Sequence, residues 1–130
     1  KSNSIHLLQN EDYDIIPYYL CSDMLISDIS STLFEYLPMD KPIIQAQCYN
    51  LKLKHRIFKK RFWKRMDIDR QDDVDFAYQI IESDDILGMV YYAMNNYDEM
   101  SNKRKEATEH YLYKVDGNSS SRLIDAIEAY

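Results

Sequence analysis

The sequence predicts an α/β chain of short parallel strands followed by several helices. Two compact apolar runs, at residues 23–27 and 42–46, flank a stretch that opens with Ser and Thr, as helix starts do. Beyond residue 74 the apolar residues recur at helical spacing. Only two Gly and three Pro punctuate the 130 residues, which leaves little room for linkers or low-complexity tracts.

Taken in order, residues 4–8 form a short apolar stretch that reads as a strand. Residues 13–21 suit a short helix, with Pro17 tolerated in its first turn. Asp23-Met24-Leu25-Ile26-Ser27 suits a buried parallel strand. Asp28-Ile29-Ser30-Ser31 then opens a helix over 32–37, ended by Pro38 and Asp40. Pro42-Ile43-Ile44-Gln45-Ala46 is a second buried strand, so 24–46 reads as a strand–helix–strand crossover. Leu51, Leu53, Ile57, Phe58, Phe62 and Trp63 fit no single period and mark a partly helical excursion. Val74, Ala77, Tyr78 and Ile81 fall at i, i+3, i+4 and i+7, and so do Leu87, Val90, Tyr91 and Met94, predicting two helices. Ser83 is placed to cap the second, with Asp84 and Asp85 near its positive end. Met100, Arg104, Ala107 and Tyr111 mark a third helical face. Asp116-Gly117-Asn118 is a turn, and a last helix starting among Ser119, Ser120 and Ser121 is expected to bury Leu123, Ala126, Ile127 and Tyr130. Two or three parallel strands make a narrow sheet, so residues 1–130 are expected to be the C-terminal half of a larger α/β domain. A start at Lys1 with no secretory signal agrees with an excised piece.

The net charge of −6 argues against a general nucleic-acid binder. Yet residues 41–66 contain no acid, and Lys52, Lys54, Arg56, Lys59, Lys60, Arg61, Lys64 and Arg65 hold eight of the 16 basic residues. Such asymmetry points to a local anionic contact on an acidic molecule. Lys59, Lys60, Arg61 and Lys64, interleaved with Phe58, Phe62 and Trp63, are candidates to meet lipid head groups or a polyanionic acceptor. A solvated loop is the plainer alternative. Cys21 and Cys48 lack metal or redox spacing and are expected to be buried thiols. His6, His55 and His110 share no metal spacing, and no cofactor is implied. Several of the 12 Tyr are expected at the core edge. No apolar run approaches the length of a bilayer span.

Two turns carry candidate chemistry. Asp28, Ser30, Ser31 and Thr32 lie where a parallel strand hands over to a helix, the edge at which open α/β sheets bind ligands. Free N–H groups and hydroxyls there suit a phosphate. Glu35, one turn on, can accept from a ribose diol. The plain alternatives are a Ser30 cap and a solvated Glu35. The second turn, Asp116-Gly117-Asn118-Ser119-Ser120-Ser121-Arg122, offers Gly117, Ser120 and a potential phosphate clamp in Arg122. Its alternative is a capped turn with Arg122 paired to Asp125 or Glu128. If both turns serve one diphosphate, folding must bring them to a common edge.

These segments together carry a resemblance. The 23–36 block with Asp40-Lys41-Pro42-Ile43-Ile44 resembles "sDiLITDYSSvxFDf…kkPiiFy" of the CDP-glycerol glycerophosphotransferase family. Tyr49-Asn50-Leu51 resembles its "YDLe", and residues 116–123 resemble its "DGkaSeRv". The resemblance implies a GT-B architecture of two Rossmann-like domains, of which this chain would be the C-terminal part of the nucleotide-binding one. It implies CDP-glycerol or CDP-ribitol as donor and a hydroxyl of a cell-surface polymer or lipid-linked molecule as acceptor. The setting would be cytoplasmic, at the inner face of the bacterial membrane. Ser30 and Ser31 map to the phosphate-contacting turn, Glu35 to the acid of "FDf", and Ser120 and Arg122 to the terminal Ser and Arg. Ile29 stands where Tyr is usual and Glu35 where Asp is usual, and the loop after the second strand is unusually basic. The family's catalytic His residues lie upstream, His6 is in no His-Pro motif, and no catalytic residue is expected in this piece. A nucleotide-sugar GT-B glycosyltransferase and a non-catalytic adaptor with a basic membrane-facing loop are the competing readings.

Overall fold

A computed structural model describes residues 5, 7–8, 14–47, 74–81 and 86–130. The elements in chain order are α1 (Ile16–Cys21), β1 (Leu25–Ser27), α2 (Thr32–Glu35), a 3₁₀ turn (Leu37–Met39) and β2 (Ile43–Ala46), followed by β3 (Tyr78–Ile80), α3 (Ile86–Asn95), α4 (Ser101–Leu112) and α5 (Ser119–Glu128). The strands form one parallel sheet in the order β1-β2-β3. Its register places Ser27 beside Gln45 and Gln45 beside Gln79.

The expected crossover is present, but among the described residues β1 is an edge strand rather than a buried one, and its Ile26 is exposed. Pro17 sits in the first turn of α1, where its missing N–H costs nothing. β2 is central and its Ile43, Ile44 and Gln45 are wholly buried, as befits a strand covered on both faces. Ile43 packs with Tyr19, Leu33, Tyr36, Leu37, Val74, Phe76 and Ala107, so α1, α2, the 3₁₀ turn and α4 cover one face. Ile44 packs with Tyr78, Ile80 and Ala93, and α3 covers the other. A sheet clad on both faces is a mixed α/β arrangement.

Several expectations are corrected. Residues 74–81 are not a helix, because Tyr78–Ile80 is a strand. The helical reading omitted Phe76, which is wholly buried; Val74, Phe76, Tyr78 and Ile80 alternate with a period of two, and the run is rich in aromatic and β-branched residues. The predicted helix over 32–37 divides into α2 and the 3₁₀ turn, which accommodates Pro38 near its start. Ile5, Leu7 and Leu8 are exposed and lie in no strand. Cys21 is exposed rather than buried. α5 forms, but no residue of it is buried, and Leu123, Ala126, Ile127 and Tyr130 all face solvent. Periodicity identifies the face that would be buried; it does not supply the surface to cover it. The expected cap at Ser83, the basic excursion and Cys48 lie outside the described residues.

A polar clamp fastens the amino-terminal edge of the sheet. Asp40 ends the 3₁₀ turn in the left-handed region, at φ 48°. Its carboxylate accepts from Ser101 Oγ at 2.7 Å, Arg104 Nε at 2.9 Å and Lys105 Nζ at 3.3 Å. Arg104 is wholly buried, and its Nη2 also donates to the carbonyls of Asp40 (3.1 Å) and Tyr97 (2.8 Å). Burial alone would raise the Asp40 pKa. The bonds from Ser101, Arg104 and Lys105 outweigh it and hold the carboxyl below its ordinary range.

Candidate functional site

The first candidate turn lies at the carboxyl end of β1. Ser27, the last strand residue, shares a hydrogen bond with Thr32 at 3.0 Å between hydroxyls, which draws the start of α2 over the sheet edge. Ser30 Oγ accepts the Thr32 N–H at 3.4 Å, a long local turn bond. The carbonyls of Ser30 and Ser31 are used by Leu33, Phe34 and Glu35. Among the described residues no acceptor takes the N–H groups of Ser30 or Ser31. Asp28, Ser31 and Glu35 are exposed, while Ser30 and Thr32 are half-buried. α2 is only four residues long, so its dipole is small and the donors themselves must hold an anion.

Glu35 is not simply solvated. Tyr19, reaching from α1, donates its hydroxyl to Glu35 Oε2 at 3.3 Å. Sequence spacing gave no hint of this pair, since 16 residues and a strand separate its members. Lys41 has a structural task that sequence reading also missed. Its Nζ donates to the carbonyls of Tyr19 (3.5 Å), Leu20 (2.9 Å) and Ser22 (2.6 Å), closing the end of α1.

The terminal turn is self-contained. Gly117 takes φ 72°, a conformation that L side chains rarely adopt. Asp116 Oδ1 accepts the Asn118 N–H at 3.0 Å. Arg122 Nη1 reaches both Asp116 carboxylate oxygens at 2.9 Å, and Nη2 reaches Ser119 Oγ at 3.3 Å. The Asn118 N–H, and then Arg122, hold the Asp116 carboxyl below its ordinary range. Arg122 therefore pairs with Asp116, not with Asp125 or Glu128 as the alternative had it. A phosphate would have to exchange for that pair. Ser120 is exposed at the start of α5.

Ser27, Ser30 and Thr32 thus come together where β1 hands over to α2, with Glu35 at the far end of α2, and Gly117, Ser119 and Arg122 share a separate turn. Among the described residues no hydrogen bond or ion pair joins the two. Lys59, Lys60, Arg61 and Lys64 lie outside the described residues. An open pocket of about 400 Å³ is lined by Asp23, Met39, Asp40, Lys41, Pro42, Met94 and Tyr97. It sits at the opposite, amino-terminal edge of the sheet. Its lining carries both signs, with Asp23 and Asp40 beside Lys41. Among the described residues no helix is long and apolar enough to cross a membrane.

The chain is similar to the minor teichoic acid biosynthesis protein GgaB of Bacillus subtilis (strain 168), with 24% identity over 121 residues. The similarity covers 91% of this chain but spans only 12% of that protein. No solved structure matches the chain significantly. Residues 1–129 match the family described as CDP-Glycerol:Poly(glycerophosphate) glycerophosphotransferase, and the chain belongs to that family.

Proposed function

We propose that this chain is part of a transferase that moves glycerol phosphate or ribitol phosphate from a CDP-alditol to a hydroxyl of a cell-surface polymer or lipid-linked acceptor. The acceptor oxygen attacks the alditol-bearing phosphorus, the phosphorus–oxygen bond to the nucleotide breaks, and CMP leaves. The observation that carries this reading is the Ser27–Thr32 turn. Among the described residues it sets the unaccepted N–H groups of Ser30 and Ser31 beside locally bonded hydroxyls at the carboxyl edge of a parallel sheet, with a carboxylate one turn on. Family membership supplies the reaction class.

In this reading Asp28, Ser30, Ser31 and Thr32 surround the diphosphate. Ser31 and its neighbours stabilise charge that develops as CMP departs. Glu35 receives the ribose diol. The terminal turn brings Gly117, Ser120 and Arg122 to the same diphosphate, with Arg122 exchanging Asp116 for phosphate oxygens. The chain acts as the C-terminal part of a Rossmann-like GT-B domain in a longer protein, at the inner face of the membrane. Proton transfer belongs to residues outside it, so this chain alone turns over no CDP-glycerol.

Calorimetric titration of the full-length protein with CDP-glycerol, CDP-ribitol, CMP and UDP-glucose tests the reading. Cytidine nucleotides should bind, and UDP-glucose should bind more weakly. Ser31→Ala and Arg122→Ala should each weaken CMP binding by about 1.5–3 kcal/mol, the worth of a charge-assisted contact, without unfolding the protein. A protein indifferent to all four ligands would be an adaptor, and a preference for UDP-glucose would make it a glycosyltransferase.

A further inference from the structure

We propose that Tyr19 is a positioning residue, one that holds Glu35 in the orientation that distinguishes a ribonucleotide from its 2′-deoxy counterpart. The inference rests on the ribose role of Glu35 proposed above. Glu35 is exposed at the end of a one-turn helix, where nothing in α2 restrains its side chain. A free glutamate samples many rotamers, and a diol-binding carboxylate gains from being held in one. Tyr19 provides that restraint from a different element, donating to Oε2 at 3.3 Å. Among the described residues Oε1 has no partner, and it is the oxygen left to face a ligand.

The tyrosine is itself held firmly. It is 3% exposed, and its ring meets Tyr36 edge-to-face at 5.2 Å. The Tyr36 hydroxyl is hydrogen-bonded to Ser22 Oγ at 2.8 Å, and that Ser22 hydroxyl donates to the Tyr19 carbonyl at 3.1 Å. Lys41 fixes the same end of α1 through three carbonyls. A phenylalanine would fill this core position as well, so packing does not account for the hydroxyl. Burial, and then the Glu35 charge, push the phenol up to about 12, which keeps it a proton donor at every working pH.

The ligand class is a ribonucleotide with its vicinal diol intact, and the probes are CMP and 2′-deoxy-CMP. Their affinities for the full-length protein should be measured with Tyr19→Phe, Glu35→Gln and the double variant, alongside melting temperature. The unsubstituted protein should prefer CMP. Tyr19→Phe should weaken CMP by about three- to tenfold, the range of one hydrogen bond, and leave 2′-deoxy-CMP almost unchanged. In the Glu35→Gln background the same change should no longer alter the ratio. Equal losses for both nucleotides would make Tyr19 purely structural and overturn the inference, as would an unchanged ratio. If the unsubstituted protein binds both nucleotides equally, the ribose role of Glu35 falls and the inference with it. If it binds neither, the nucleotide reading itself falls.

Discussion

Arg104→Met tests the clamp between α4 and the amino edge of the sheet. The side chain of Arg104 is 1% exposed, and that of Asp40 is 34% exposed. Breaking a buried ion pair by removing one partner costs about 3–5 kcal/mol when the remaining charge is stranded. Here it is not fully stranded, because Asp40 keeps Ser101 and Lys105 and some water. The carboxylate therefore loses only about 1 kcal/mol after discounting for solvent. The carbonyls of Asp40 and Tyr97 each lose a donor, at about 1 kcal/mol apiece. Against this, Arg104 Nη1 is buried with no partner among the described residues, and removing it returns about 1 kcal/mol. The expected net loss is about 2 kcal/mol, read as a lowered midpoint in urea unfolding followed by circular dichroism. The acid limb gives a second reading. A carboxyl held below its unfolded pKa adds stability above the ordinary carboxylate range, and that stability is lost as pH falls through the folded value. Arg104→Met should flatten this acid loss, and Asp40→Asn should abolish the part due to Asp40. The reasoning is refuted if Arg104→Met costs less than about 0.5 kcal/mol, or if the two substitutions add with no coupling.

Other substitutions probe separate features. Gln45 is wholly buried and its Nε2 has no partner among the described residues, so Gln45→Met should leave urea stability unchanged or raise it by about 1 kcal/mol. Gly117→Ala meets open space around the added carbon, so only backbone strain remains; a loss of about 1 kcal/mol in the same assay is expected. Reversing the charge of Lys59, Lys60 and Arg61 in the full-length protein should weaken binding to phosphatidylglycerol vesicles by about 1 kcal/mol per residue at low salt. Equal binding by the reversed variant would reduce the basic window to a solvated loop.

The crossover from β1 to β2 was legible because each strand is a short apolar run and the intervening helix announces itself with hydroxyls and closes near a proline. The helices over Ile86–Asn95 and Ser101–Leu112 were legible from spacing, but the face marked on the first is not the packed one: Leu87, Tyr91 and Met94 are exposed, while Ala93 is buried and Ile86, Met89 and Val90 pack toward the same core. β3 was misread because four of its neighbourhood's apolar residues fit a helical period while Phe76 fits only the alternating one. Spacing put Arg104 on the helical face of Met100, Ala107 and Tyr111, but the partner that lets a charge be buried there was invisible, since Asp40 lies 64 residues away. The Tyr19–Glu35 pair was hidden likewise, because contacts between elements are properties of packing. The donors of the Ser30–Thr32 turn were legible as chemistry, but the commitment of Arg122 to Asp116 was not.

The placement of the Asp40 clamp bears on how this fold can change over time. Arg104 grips both the carboxylate and the carbonyl of one left-handed residue, at the rim away from the candidate nucleotide turn. Much of the polar fastening of the sheet is thereby concentrated at one rim. At the opposite rim Ser27 and Thr32 are bonded to each other, while among the described residues the N–H groups of Ser30 and Ser31 have no acceptor. Substitutions at Ser30 or Ser31 therefore change the chemistry of that turn without touching the Asp40 clamp, so the two rims can vary independently.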